Sequence, residues 1–198
     1  LAASYVDQVI FNEEMAYNRA PIGAHRRGVF YVGPIQVRYG TDAQKAQHLS
    51  AIASGSNYFC QLFSEPAAGS DLASAQTRAV RDGDDYVVNG QKIWTSLAGG
   101  ADYCWLAVRT DPDAPKHQGI SILIVDTDSP GITMTPMWCV GSTTAERTNV
   151  LFFDKVRVAK NRLVGAENKG FYYLMQALDY ERFAIIAAAQ HNRRFRTV

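Results

Sequence analysis

Charge of one sign is what this chain most clearly lacks: 20 lysines and arginines face 19 aspartates and glutamates, leaving a formal net charge of +1 over 198 residues. Such a balance supplies no general pull toward nucleic acid or an anionic membrane, so any phosphate site has to be local. Cysteine is scarce too. Cys60, Cys104 and Cys139 are odd in number and form no CxxC spacing, which argues against a disulfide framework or thiolate metal site and for reduced, buried thiols. There is no basic-then-apolar leader and no uncharged apolar run of about 18 residues, so export and membrane spanning are disfavoured and a cytoplasmic protein is expected. The GxGxxG fingerprint is absent as well, which removes the Rossmann manner of holding a dinucleotide.

What is present suffices for a core, since 47% of the residues are hydrophobic. The pattern predicts an α+β fold in three parts. Residues 1–57 read as the end of a helical domain, punctuated by Pro21, Gly33, Pro34 and Gly40. Within it Thr41 caps a helix, Gln44 completes a capping box, Ala43, Ala46, Leu49, Ile52 and Ala53 follow at helical spacing, and Gly55 stops the run. Its His48 is expected on the surface, because no second ligand stands at metal spacing. Residues 58–160 switch to a period of two, with β-branched and aromatic runs at 86–88, 103–108, 120–125 and 150–158. The short connections, rich in Asp, Gly and Pro at 82–85 and 111–115, predict antiparallel pairing in a barrel-like middle domain. The stretch 111–117 reads as a solvated hairpin turn, and 139–149 as either a strand connection or a loop near a phosphate. Residues 161–198 start a helical bundle, with 171–189 apolar nearly all round.

Two segments carry chemistry. In 61–71 (QLFSEPAAGSD), Gly69 frees backbone amides while Ser64 and Ser70 offer hydroxyls, a set suited to a phosphate and to the polar edge of a heterocycle. In 89–96 (NGQKIWTS), Trp94 offers a flat surface for a ring and Thr95 or Ser96 a hydrogen-bond partner. Taken singly, each has a plainer reading: an ordinary turn at 64–66 and a core aromatic at Trp94. A third feature is Glu181, which falls on one helical stripe with Leu174, Leu178 and Ile185. A carboxylate on an apolar face pairs with Arg182 or a neighbouring helix, faces solvent, or serves as a base in a ligand cavity.

The two segments resemble, in order and separation, the paired flavin-binding signatures of the acyl-CoA dehydrogenase family. The likeness continues through 102–105 (DYCW), 119–126 (GISILIVD), 130–131, 149–158 (NVLFFDKVRV), 163–165 and 168–171 (NKGF). It implies FAD as cofactor and the removal of two hydrogens from the α and β carbons of an acyl-CoA thioester, giving the enoyl-CoA. Carried over position by position, Gln61, Phe63 and Ser64 line the isoalloxazine, Gly69 and Ser70 approach the pyrophosphate, and Trp94, Thr95 and Ser96 flank the ring near its N5 atom. Ser64 stands where many relatives have threonine, and 94–97 (WTSL) replaces the common WITN, which keeps hydroxyls and loses an amide.

Residues 178–182 (LDYER) resemble the family variant whose catalytic glutamate sits on the first helix of the C-terminal domain, which makes Glu181 the base. The same resemblance places Ser70, Arg182 and Asp179 on the substrate side, whereas residue chemistry alone also allows an Asp179–Arg182 helix pair. The implied partners are an electron acceptor such as an electron-transfer flavoprotein and other subunits of a homo- or hetero-oligomer. No metal is implied. A start at Leu1 and an end at Val198 read as a piece lacking most of the C-terminal bundle. A catalytically idle subunit and an oxidase or monooxygenase on the same scaffold are the alternatives.

Overall fold

The computed structural model describes residues 4–18, 20, 26–140 and 148–185, with backbone only at 5, 8 and 180–185. Helix α1 (Tyr5–Tyr17) is followed by a π-helical turn (Gly28–Val32) that runs into α2 (Gly33–Tyr39), then by α3 (Asp42–Ser54). Strands β1 (Phe59–Leu62), β2 (Arg78–Asp82), β3 (Asp85–Ser96), β4 (Tyr103–Arg109), β5 (Ile120–Asp126), β6 (Ile132–Met137) and β7 (Thr148–Ala159) form one sheet, and α4 (Gly170–Ile185) closes the described chain. The α+β architecture matches the expectation, and the helix from Thr41 to Gly55 forms with both capping-box bonds and a left-handed Gly55 at its end.

The sheet is mixed where wholly antiparallel pairing was expected. β4 pairs antiparallel with β5 on one edge, while the other edge carries β1 and, farther along, β2, both parallel to it. β1 and β2 thus lie end to end beside β4, and the 63–77 segment between them leaves the sheet and returns. The β2–β3 hairpin, rather than a helix, supplies the reversal that parallel neighbours need. β3 then pairs with β7, and β7 with β6.

β4 and β5 separate two cores, which explains why both strands are apolar on both faces. Trp105, Ala107, Ile122 and Ile124 pack with Ile35, Leu174 and Ala177 on the helical side, while Cys104, Leu106, Leu123 and Val125 pack with Val88, Leu151 and Val156 inside the half-barrel. Cys60 and Cys104 are free thiols in that second core, with sulfurs 3.8 Å apart, and Cys139 is only partly covered. Tyr39 ties α2 to α4 by stacking on Tyr173 at 4.1 Å and donating to Gln176 Oε1 at 2.8 Å. At the start of α4, Gly170 is required by contact: a Cβ there would sit 2.6 Å from the Ser121 carbonyl carbon.

Helix α3 is turned differently from the expectation. Ala43, Ala46 and Ala53 are exposed, and the covered face is Gln44, His48 and Ile52. The Gln44 amide reaches the carbonyls of Asn161 and Leu163 at 2.8 and 2.9 Å, so it docks the helix by hydrogen bonds where alanines offer little area. His48, expected at the surface, is fully buried, edge-on to Phe59 and Tyr103, with neither ring nitrogen hydrogen-bonded among the described residues. Burial first, then the Arg162 guanidinium, lowers its pKa below the ordinary 6.5, against Asp126. The unfolded chain therefore binds more protons than the folded one below 6.5, and stability falls as pH drops through that value toward the folded pKa. His48→Leu is expected to flatten this part of the urea midpoint against pH; an unchanged slope would show that the loss arises elsewhere.

Candidate functional site

The 63–77 segment is shaped by its own turn and held from beneath. Glu65 and Ala68 exchange backbone hydrogen bonds at 2.8 and 3.0 Å, closing a tight turn over Pro66 and Ala67. Under it lies Lys92 of β3, fully buried, whose ammonium donates to Glu65 Oε1 at 2.7 Å and to the Phe63 carbonyl at 3.1 Å. The Glu65 carboxylate also accepts from the amides of Gln76 at 2.5 Å and Thr77 at 2.9 Å. Burial pushes Glu65 up, but Lys92 and those donors outweigh it and hold the carboxyl below its ordinary 4.5. Burial brings Lys92 down to about 8, with Glu65 opposing. A second buried cation, Arg109, donates to the carbonyls of Ala73, Ala75 and Lys116 and fastens the far end of the segment. Asp71 is occupied by Ser74 at 2.6 Å and Lys116 at 2.8 Å, so the otherwise solvated 111–117 turn also straps this loop.

Strand β3 supplies the neighbouring wall through an irregularity. Tyr86, Val88 and Lys92 point inward, so strict alternation would also bury Trp94 and Ser96. Between Lys92 and Thr95 the register to β7 slips, and Trp94 takes φ 62°, a conformation rare for a bulky residue. The extra residue turns Ile93 and Trp94 outward together. Trp94 is 59% exposed, and Thr95 is inward and buried with its hydroxyl unpartnered among the described residues. Gly90 permits the approach of the two segments, since a Cβ there would meet Thr77 Cα at 2.7 Å. Ile93 N donates to the Ser64 carbonyl at 3.0 Å and links the walls directly.

Together these elements enclose a cleft of about 470 Å³. Gln61, Phe63, Ser64, Gly69, Ser70, Trp94 and Ser96 all line it, brought together from both sequence segments. Thr95 does not line it, so of the adjacent hydroxyls Ser96 is the one that faces a ligand. The other side is helical and comprises Arg27, Met175 and Leu178. Asp179 is exposed on α4. Glu181 and Arg182 belong to α4 just beyond Leu178, and their side chains lie outside the described residues. The 139–149 stretch falls outside them at 141–147.

Sequence reasoning missed the Lys92–Glu65 pair, although its signal was there: the inward phase of Tyr86 and Val88 carries through Gly90 to Lys92, and a buried lysine needs an acid. It also missed Arg27, Leu72, Ile93 and Met175, which carry no pattern that marks a cleft, while Leu178 stands out in the sequence only as sharing a helical stripe with Glu181. Among the described residues no group of His, Cys, Asp or Glu could hold a metal ion, and no helix is long and apolar enough to cross a membrane. A flavin fits the residues present. Trp94 offers a plane, and Ser64, Ser96 and Gln61 offer polar atoms for a heterocycle's edge. An added Cβ on Gly69 would meet nothing within 4 Å, so the glycine is not demanded by packing and leaves backbone open to a ligand.

A mixed half-barrel of this kind, with helices on one side and a cleft at their junction, is the architecture of an acyl-CoA dehydrogenase middle domain. Residues 60–156 match the family model described as acyl-CoA dehydrogenase, middle domain. The chain belongs to the acyl-CoA dehydrogenase family. It is 46% identical to the Mycobacterium tuberculosis acyl-CoA dehydrogenase FadE26 over 94% of its own length and 46% of that protein. Identity to FadE29 of the same organism is also 46%, over 89% of this chain and 45% of the relative. Among solved structures, the Tcur3481-Tcur3483 steroid acyl-CoA dehydrogenase superposes with a TM-score of 0.90 at 40% identity, covering 98% of this chain and 50% of that one. The ChsE4-ChsE5 complex from Mycobacterium tuberculosis superposes with a TM-score of 0.79 at 46% identity, covering 90% of this chain and 45% of that one. The chain spans about half the length of the relatives it matches.

Proposed function

We propose that the protein containing this chain is an FAD-dependent acyl-CoA dehydrogenase that converts an acyl-CoA thioester to its α,β-enoyl-CoA. The observation that carries this reading is the single cleft in which Ser64, Gly69, Ser70, Trp94 and Ser96 meet, bordered by the helix that contains Glu181. Residues 1–57, 58–160 and 161–198 then serve as the end of an N-terminal helical domain, the flavin- and substrate-binding middle domain and the start of the C-terminal bundle. Bound FAD supplies the two-electron acceptor for the hydride that leaves the β carbon. Glu181 takes the α proton, and the electrons of the α C–H bond become the new π bond. Trp94 and Phe63 exclude water from the ring side, Ser64 and Ser96 orient the heterocycle, and Gly69 with Ser70 approaches the phosphates. Asp179 and Arg182 face the CoA portion. An electron-transfer flavoprotein would be the electron acceptor, and the two-component character of the ChsE4-ChsE5 neighbour supports assembly with like subunits.

The purified full-length protein is expected to be yellow and to bleach anaerobically when an acyl-CoA is added. A colourless protein would point to an idle subunit, and rapid oxygen consumption would point to an oxidase. Ser70→Ala removes a charge-assisted contact to phosphate and is expected to weaken FAD retention by roughly tenfold or more without changing the reduction rate of the flavin that stays bound. Equilibrium flavin release measures it, and unchanged affinity would remove Ser70 from the phosphate site.

A further inference from the structure

Among the described residues that line the cleft, Arg27 carries the one charged side chain. It stands just before the π-helical turn Gly28–Val32, partly buried, and belongs with Met175 and Leu178 to the helical side. Among the described residues it has no ion-pair partner. The acids on the opposite loop are already engaged, Glu65 by Lys92 and Asp71 by Lys116. A guanidinium keeps its charge at any working pH and is strongest against a planar anion that it can grip with two parallel bonds. An aliphatic chain filling this side of the cleft would strip water from that cation and give nothing in return.

We propose that Arg27 is a specificity-determining residue that binds a carboxylate carried by the acyl group, so that the preferred substrates are CoA monothioesters of dicarboxylic acids. This rests on the dehydrogenase reading above. That reading gives the FAD phosphates to Gly69 and Ser70, the CoA portion to Asp179 and Arg182 farther along α4, and the space between flavin and Glu181 to the acyl carbons. With each of those anions assigned its own residues, the one left to Arg27, beside Met175 and Leu178, is an anion carried by the acyl group.

The test uses the full-length, flavin-loaded protein and two thioesters of equal carbon count, one ending in methyl and one in carboxylate, with anaerobic flavin reduction as the readout. The wild type is expected to favour the carboxylate-ended thioester in kcat/KM. Arg27→Gln is expected to raise the KM for that thioester by about 30-fold or more and so collapse the preference. Arg27→Lys, which keeps the charge and loses the fork, is expected to retain part of it. A wild type without the preference overturns the inference, as does an Arg27→Gln variant that slows both thioesters equally, the result of a role toward CoA or Glu181. Loss of flavin in both Arg27 variants would show a structural role and overturn it too. Bleaching by the methyl-ended thioester alone sinks the inference and leaves the dehydrogenase standing, whereas bound flavin that neither thioester bleaches sinks the dehydrogenase reading and this one with it.

Discussion

Glu65→Gln is expected to destabilise the protein by about 3–5 kcal/mol, the cost of leaving one member of a buried ion pair without its counter-charge. Lys92 would then keep only the Phe63 carbonyl and a neutral amide for company, in a position with no exposure to water. The partner substitution is milder. Lys92→Met leaves a carboxylate that still accepts from Gln76 N and Thr77 N, and it removes the more deeply buried charge. Combining Glu65→Gln with Lys92→Met should recover much of the loss, because paired replacement by uncharged groups is often close to neutral. Chemical unfolding of the four proteins measures the cycle. A single-variant loss within about 0.5 kcal/mol, the range of ordinary surface changes, would show that water reaches the pair.

The same pair predicts a pH signature with two limbs. Glu65 is held below its ordinary 4.5, so its contribution is present above that value and is lost as pH falls through the folded pKa. Lys92 is lowered from 10.5 to about 8, so between those values the unfolded chain holds more protons and stability rises with pH. The pair also carries a functional cost when broken. The 63–77 segment rests on it, and that segment brings Gly69 and Ser70 to the cleft, so on the proposed reading of that cleft as the FAD site, cofactor retention should fall with stability in Glu65→Gln.

Glu181→Gln in the full-length protein is expected to slow flavin reduction by at least about 100-fold with the cofactor retained, on the proposed reading of Glu181 as the α-proton acceptor. Glutamine matches the size of glutamate and keeps a carbonyl, so substrate and flavin still bind, but it has no basic oxygen for the proton. Carboxylate general bases contribute about 10²–10⁴ to rate, which sets the lower bound. Anaerobic stopped-flow reduction with an acyl-CoA separates this step from binding. A normal rate in the variant would move the base to another part of the protein. A colourless variant would instead give the residue a structural task.

Much of the fold was legible. Thr41, Gln44 and Gly55 announce α3 because capping chemistry is local, settled within a few residues of chain. The β-branched runs that became β4, β5 and β7 were equally plain. Parallel pairing of β1 with β4 was not legible, since it depends on a hairpin folding back between them, a contact between segments distant in sequence. The exposure of Ala43 and Ala46 was hidden for a related reason: the face of a weakly apolar helix is chosen by what it docks on, here the carbonyls of Asn161 and Leu163.

The residues of the cleft divide in the same way. Amino-acid order alone determined the two segments that meet there, because hydroxyls, a glycine and an aromatic at fixed spacing limit what each can hold. Only the folded chain decided which of those side chains face the opening. A strand's alternation would have buried Trp94 and Ser96 and exposed Thr95, and the slip in pairing between β3 and β7 reverses that assignment by inserting one residue. The inward phase of Lys92 was readable along β3, but its pairing with Glu65 and the place of the arginine on the helical side were settled in three dimensions, since the worth of a charge depends on the water and counter-charges that distant segments bring to it.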